Sequence, residues 1–376
     1  MTVTGSEMQW LSQAEREARI LAPYAMHSCD SSGRKHPEAE HPYRGPWQRD
    51  RDRILHSSAY RRLSGKMQVF TGEMGDYHRT RLTHTQEVAT IARTIGRALM
   101  LNEDLIEALA LMHDIGHPPY GHAGEDALHE CVADIGGFSH NRFALTIVEE
   151  LELRYNGFTG LNLTREVLAG QATRADKQNA GLHRLLEVQL VDAADSMTYD
   201  AHDTDDALKL RLVTLDEMQE VPLVRAVVAE VRSRYHQLTP QLLRKTVVHR
   251  LIDLQVSDTL ARCQRELQAS GFNSPAEAIA SDFRIGPGAE LAGQKRELER
   301  FLYERVYRHP RLVAVRTAAQ DRLRRMYEGY CSRPELIPAH YQERLHQVGP
   351  RRMAVEYIAG MTDRFCEETF AAHFAG

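Results

Sequence analysis

The sequence of 376 residues predicts an all-α protein, and three observations carry that prediction. Apolar residues recur three and four apart in nearly every segment after Asp50, runs that alternate apolar and polar are scarce, and the segment boundaries carry helix punctuation. With 42% hydrophobic residues, the chain can fill a sizeable core. No internal repeat is visible.

The elements follow in order. Residues 27–48 (HSCDSSGRKHPEAEHPYRGPWQ) are polar and rich in Pro, Gly and His, so residues 1–48 read as a loosely ordered arm. "KMQVF" (66–70) could form one short strand. Over 84–100, Val88, Ile91, Ile95 and Leu99 make one stripe, and His84, four before Val88, shares that face. The next helix starts at Asn102, a good N-cap, with Glu103 and Asp104 where the helix dipole favours acids. Leu105, Leu109 and Met112 form one of its rows; Ile106, Ala110 and His113 form the adjacent one. Gly116 can cap its C-terminus, and Pro118 and Pro119 prevent continuation.

A further helix is expected over 139–155, with Phe143, Ile147 and Leu151 on one face. Another covers 183–200, where Val188, Val191, Asp195 and Tyr199 align and Asp203 extends the row if the helix continues. The chain from 211 to 376 reads as a C-terminal helical region packed on a core of residues 49–210. Within it, 294–330 is strongly basic. A solvated helix face is the plain reading of such a run; an anion or effector site, or a subunit contact, is the sharper one.

Several function classes recede. A net charge of −5 gives no global case for nucleic-acid binding, although a locally basic pocket is compatible with it. The cysteines (Cys29, Cys131, Cys263, Cys331, Cys366) are odd in number, dispersed and without a CxxC pair, as expected of free thiols in a reducing compartment. No apolar run approaches the roughly 20 residues of a membrane helix, and MTVTGSEMQW lacks a signal-peptide pattern. A cytoplasmic protein without a membrane partner is the expectation.

Histidine is the unusual residue. Seven of the 19 lie between His78 and His140, about twice what even spreading would give. Four polar groups fall on apolar helix faces: His84, His113, Asp114 and Asp195. A buried carboxylate needs a partner or a metal. Two imidazoles and two carboxylates suit one divalent ion, Mn²⁺, Fe²⁺, Co²⁺, Ni²⁺ or Zn²⁺, with Mg²⁺ a poorer match to the nitrogens. Such an ion lowers the pKa of water and polarises phosphoryl oxygens. Arg81, Arg61, Arg62 and Lys66 are the cations available to a phosphorylated substrate.

His84, the pair His113-Asp114, and Asp195 resemble the H…HD…D signature of the HD-superfamily metal-dependent phosphohydrolases. The surrounding blocks narrow the resemblance: "RDRDRILHSSAYRRLSGKMQVF" (49–70), "YHRTRLTHTQEVATIAR" (77–93), "HDIGHPPYGHAGEDAL" (113–128), "GGFSHNRFAL" (136–145), "GLNLTREVLAG" (160–170) and "VDAADSMTYDAHDTDDAL" (191–208). Together they are similar to the deoxynucleoside triphosphate triphosphohydrolases, closest to the dGTPase-like bacterial group. Met67 departs from the family, where a threonine is more usual.

That resemblance implies an HD-domain helical core with additional C-terminal helices, assembled as a tetramer or hexamer. It implies hydrolysis of a dNTP, with dGTP the named candidate, to deoxynucleoside and inorganic triphosphate. A divalent metal in the HD site is implied, with Mg²⁺ on the nucleotide and a second dNTP as a candidate allosteric activator. His84, His113, Asp114 and Asp195 match the metal ligands. His122 matches the general acid, with Glu125 and His140 beside it. Gln68, Arg81, His117, Tyr199 and Asp203 match substrate-binding positions, and a tyrosine under the sugar would exclude a 2′-hydroxyl. Two other readings stay open: an HD phosphodiesterase or single-strand nuclease using the basic 294–330 segment on nucleic acid, and a nucleotide-binding HD module without catalysis.

Overall fold

A computed structural model describes residues 11–68, 79–176 and 184–375. Among them there is no sheet, only isolated bridges such as Met67 to Thr80 and Arg34 to Thr164. The strand expected at 66–70 is therefore reduced to the Met67 bridge; Val69 and Phe70 lie outside the described residues.

The helices of the first half are α1 (Gln13–Ile20), α2 (Pro46–Leu55), α3 (Ser58–Arg62), α4 (Arg81–Ala98), α5 (Glu103–Met112), α6 (Gly121–Cys131), α7 (His140–Thr146), α8 (Arg165–Ala175) and α9 (Leu186–Lys209). Asn102 caps α5 as expected, accepting from the Leu105 N–H at 3.2 Å. The helix begun at His140 continues only as a π-helical turn, Ile147–Leu151, and stops short of residue 155. α9 runs to Lys209, so Asp203 does extend the Asp195 row.

α4, α5 and α9 form the centre of the main core. Val88, Ile95, Leu105, Ile106, Leu190 and Val191 are buried there almost completely. The expected face of α4 is correct, and it carries His84 inward. Burying each large aliphatic side chain stabilises the fold by about 1.5–3 kcal/mol, which sets a rigid frame beneath the polar groups.

The N-terminal segment differs from the loose arm its composition predicts. Ser12 and Glu15 form a capping box on α1. Glu17 then accepts from the Ser28 N–H at 2.7 Å, Glu187 from the Met26 N–H at 2.9 Å, and Glu166 from the Ser32 N–H at 2.6 Å. Arg34 pairs with the buried Asp50. Buried carboxylates tie this polar chain to the core, a signal that composition does not carry.

The second half contains α10 (Leu215–Met218), α11 (Pro222–Arg234), α12 (Pro240–Ser270), α13 (Pro275–Ala280) and α14 (Ala289–Phe301), the last passing into a π-helical stretch, Leu302–Tyr307. α15 (Pro310–Ser332), α16 (Ala339–Gln342), α17 (Leu345–Ala359) and α18 (Asp363–His373) follow. The hydrophobic clusters divide this half. Residues of α10, α11, α14 and the π-helical stretch, with Val247 and Leu251 of α12 and Leu312, form a smaller core with Ala207, whereas Cys263, Leu267 and Phe283, and then Leu323, Met326, Tyr330, Met353 and Cys366, join the main core. The basic 294–330 segment spans that division. It is extensively paired: Lys295 with Asp200, Arg322 with Glu367 and Arg324 with Glu130.

Candidate active site

The turn after α5 places the central residues. His113 is the C-cap of α5, and Gly116 is not the left-handed cap expected from sequence. Its role is space: a Cβ there would stand 2.0 Å from the His140 carbonyl oxygen and 2.6 Å from the Ala144 N. The missing side chain thus lets α7, with His140 at its start, lie directly on the His113–Asp114 turn. Tyr120 and Gly121 then adopt positive φ, 64° and 58°. A Cβ on Gly121 would press to 2.6 Å from the Arg81 guanidinium. These two glycines bring α4, α6 and α7 onto one cavity.

That cavity encloses about 300 Å³. Its lining includes Gln68, Arg81, His84, His113, Asp114, His117, His122, His140, Asp195 and Tyr199. Eight of these ten residues were expected metal or substrate groups by sequence, and the other two, His122 and His140, were catalytic candidates; Asp203 and Glu125 sit just behind the lining.

Two clusters of ligand-type side chains share the space. In the first, donor atoms of His84, His113 and Asp195 lie within 4.8 Å of one another. His84 Nε2 is 2.9 Å and His113 Nε2 3.7 Å from Asp195 Oδ1. Asp114 Oδ1 approaches His113 Nε2 at 3.5 Å. The Asp114 carboxylate is also held by the Arg81 guanidinium at 2.9 Å and by His117 Nδ1 at 3.0 Å.

The donor set fits a divalent ion, and the hydrogen bonding supports this independently. His113 Nδ1 lies 2.6 Å from the Ala110 carbonyl, which can only accept, so Nδ1 carries the proton. Nε2 then presents its lone pair to the cavity, where it is buried without a hydrogen-bond partner. An orphaned buried acceptor is costly unless something cationic meets it. Burial holds the His113 pKa down, keeping the ring neutral, as a metal ligand must be. For Asp114 and Asp195 burial acts upward, but both carboxylates are held below the ordinary range; the Arg81 guanidinium at Asp114 and the His84 Nε2 contact at Asp195 act in that direction.

The second cluster comprises His117, His122, Glu125 and His140. Glu125 accepts from the His140 N–H at 2.9 Å and faces His140 Nδ1 at 2.8 Å and His122 Nδ1 at 3.4 Å. The His117 and His140 rings stack 3.8 Å apart. Burial pushes the Glu125 carboxyl up, but the bonds to His122 and His140 outweigh it and hold Glu125 well below the usual range. The His122 side chain is 55% exposed, against 4% for His113 and His117.

At the far end of the α9 row, Tyr307 from the π-helical stretch donates to Asp203 and lies 2.6 Å from the Tyr199 hydroxyl. Burial, with Asp206 and Asp200 nearby, raises the Asp203 pKa strongly. Sequence reading passed over Tyr307, whose position a hundred residues downstream carries no local signal. His202 stands 3.3 Å from His84 Nδ1 and pairs with Glu87, so it orients His84.

The expected cations are redistributed. Lys66 is buried and donates to the His117 and Ala359 carbonyls; Arg61 is exposed and bonds to the His56 carbonyl. Neither they nor Arg62 line the cavity. Arg174 and Arg184 do, with Arg81, Asn141 and Asp192. Asp192 had a legible signal, since it lies one helical turn before Asp195 on the same face.

Helices closing on a His–His–Asp–Asp set in a cavity that carries guanidinium groups define a metal-dependent phosphohydrolase of the HD class. The HD domain model matches residues 81–200, and the phosphohydrolase-associated domain matches residues 286–372. The chain is 38% identical over 370 residues to a deoxyguanosinetriphosphate triphosphohydrolase-like protein of Geobacter metallireducens, covering 96% of each. It is 41% identical to proteins of that description from Brucella suis and Bordetella pertussis, covering 92% of this chain and 94% of each relative. The chain belongs to the deoxyguanosinetriphosphate triphosphohydrolase-like family. No helix among the described residues is long and apolar enough to cross a membrane.

Proposed function

We propose that the protein hydrolyses deoxynucleoside triphosphates to deoxynucleoside and inorganic triphosphate. One observation carries the reading: a single row on α9 brings Asp195 and Tyr199 to the cavity, with Asp203 one turn further on behind the lining, and Arg81, His117, His122 and His140 line the same space. A metal site, a polar sugar reader and an acid candidate thus follow one another as the parts of a dNTP do.

His84, His113, Asp195 and Asp114 would hold a divalent ion, which when bound polarises phosphoryl oxygens and lowers the pKa of water. Arg81 neutralises charge on the triphosphate while remaining anchored to Asp114. His122 protonates the departing 5′-oxygen, a poor leaving group for which general acid help is typically worth about 10²–10⁴-fold. Glu125 orients His122 and His140 by facing the Nδ1 of each. His117, its Nδ1 fixed on Asp114, presents its unpartnered Nε2 to the phosphates and bonds to them on taking up a proton. Tyr199 packs beneath the deoxyribose and leaves no room for a 2′-hydroxyl, while Asp203, held by Tyr307, reads its 3′ side with Gln68.

The test is product analysis. Mn²⁺-loaded protein is incubated with each dNTP singly and with all four, and products are resolved by anion exchange. Deoxynucleoside with triphosphate from a single dNTP is the expected result; those products from the mixture alone would add an activating nucleotide. Orthophosphate or pyrophosphate as the only phosphorus product would overturn the reading.

A further inference from the structure

The cavity end beyond Asp195 holds an arrangement that the proposed chemistry has not used. Asp192 Oδ1 receives the Arg174 Nε at 2.6 Å, and its Oδ2 pairs with the Arg184 guanidinium. Arg184 also donates to the Thr173 carbonyl at 3.0 Å. All three side chains line the cavity. The arginines are largely withdrawn from solvent, 12% and 16% exposed, and Arg184 Nε is buried without a partner. Two guanidiniums share one carboxylate, so the cluster keeps a net positive charge and unused donors in a low-dielectric wall. Both features suit a second anion.

Position along α9 identifies that anion. Asp192, Asp195, Tyr199 and Asp203 occupy one face, and at 1.5 Å per residue Asp192 lies roughly 4–5 Å beyond Asp195 on the side away from Tyr199. If the sugar is read at Tyr199 and the α-phosphate sits at Asp195, the β- and γ-phosphates extend towards Asp192. We infer that Arg174 and Arg184 form a clamp for the distal phosphates, which displace Asp192 from the two guanidiniums, and that this clamp selects a triphosphate over shorter phosphate chains. Asp192 competes with the incoming chain in two ways: it occupies donors of both forks, and its charge repels the phosphates. The inference rests on the dNTP reading for the direction in which the substrate lies.

The test measures binding rather than turnover. Inorganic triphosphate and pyrophosphate, each as its Mg²⁺ complex, are titrated calorimetrically into Mn²⁺-loaded protein and into the R174Q, R184Q and D192N variants. Each arginine variant should weaken triphosphate binding about tenfold to a hundredfold, with a smaller loss for pyrophosphate. D192N should tighten triphosphate binding about threefold to tenfold, because the forks are released and the repulsion removed. Unchanged triphosphate affinity in both arginine variants, or weakening in D192N, would overturn the clamp and leave the cluster a structural strut. Where an arginine variant fails to fold, the isosteric D192N decides through the sign of its effect. A wild-type protein that binds triphosphate through this cluster but releases none from dNTPs would keep the clamp and sink the dNTP reading.

Discussion

The two histidine clusters share one cavity and differ in almost every physical respect. The His84–His113–Asp195 group is set into the junction of α4, α5 and α9, and its imidazoles are almost wholly buried. Its ring atoms are fixed from behind, His113 by the Ala110 carbonyl and His84 by His202. The His117–His122–Glu125–His140 group draws on the turn before α6, α6 itself and the start of α7. It keeps a carboxylate between two imidazoles, and His122 is more than half exposed. A set whose imidazoles are sealed from solvent beside two carboxylates suits the holding of a cation. An open set in which one carboxylate serves two imidazoles suits the proton transfer proposed for it. The same residue types therefore do different work according to burial and to what fixes the far side of each ring.

The largest expected effect tests the sealed cluster. His113→Ala and Asp114→Ala should each remove bound metal, measured by elemental analysis of the purified protein, and lower turnover by about 10³-fold or more. Full metal content with lost activity in both would break the assignment of ion-holding to this cluster. His122→Ala should lower kcat by about 10²–10⁴-fold while metal content stays at the wild-type level. Loss of metal in His122→Ala would erase the distinction between the clusters. Glu125→Gln should fall between wild type and His122→Ala, a drop of about tenfold to a hundredfold, since it leaves the acid present but no longer oriented. Combined with His122→Ala it should add little, because the two act as one unit.

Much of this contrast was legible in the sequence. The His84 stripe, the Asn102 cap and the α9 row all follow from helical period and capping chemistry, which are local properties. Gly116 was legible as a special position, but its use as the contact for α7 depends on a segment twenty-four residues away. Arg174 and Arg184 were missed because an arginine in the last turn of α8 and another before α9 read as surface residues until folding brings both to Asp192. The tethering of residues 12–50 was missed for the converse reason. Its composition is that of a loop, and the buried Glu17, Asp50, Glu166 and Glu187 that hold it carry no periodic signal of their partners. What sequence conceals is long-range pairing between polar groups.

The smallest effect concerns the support beneath the second cluster. Lys66 is buried and donates to the His117 and Ala359 carbonyls. Burial, with Arg62 adding to it, pulls its ammonium down to about 7. The folded protein therefore releases this proton near pH 7, whereas the unfolded chain keeps it until its ordinary value of 10.5. Between those values the unfolded state binds more protons, so this group makes stability rise with pH. The cost of confining a charged lysine is fully present below pH 7 and is relieved as the pH climbs. Lys66→Met leaves the two carbonyls without that donor, a loss of about 1–3 kcal/mol each, and deletes the titration. Urea unfolding at pH 6.5, 7.5 and 8.5 should show wild type gaining on Lys66→Met by up to about 1 kcal/mol per pH unit above pH 7. Parallel pH profiles would mean that Lys66 keeps its proton throughout, and that His117 is braced by a fixed charge. In that case the open cluster would resemble the sealed one, in having its rear face set by a group that does not titrate in the working range.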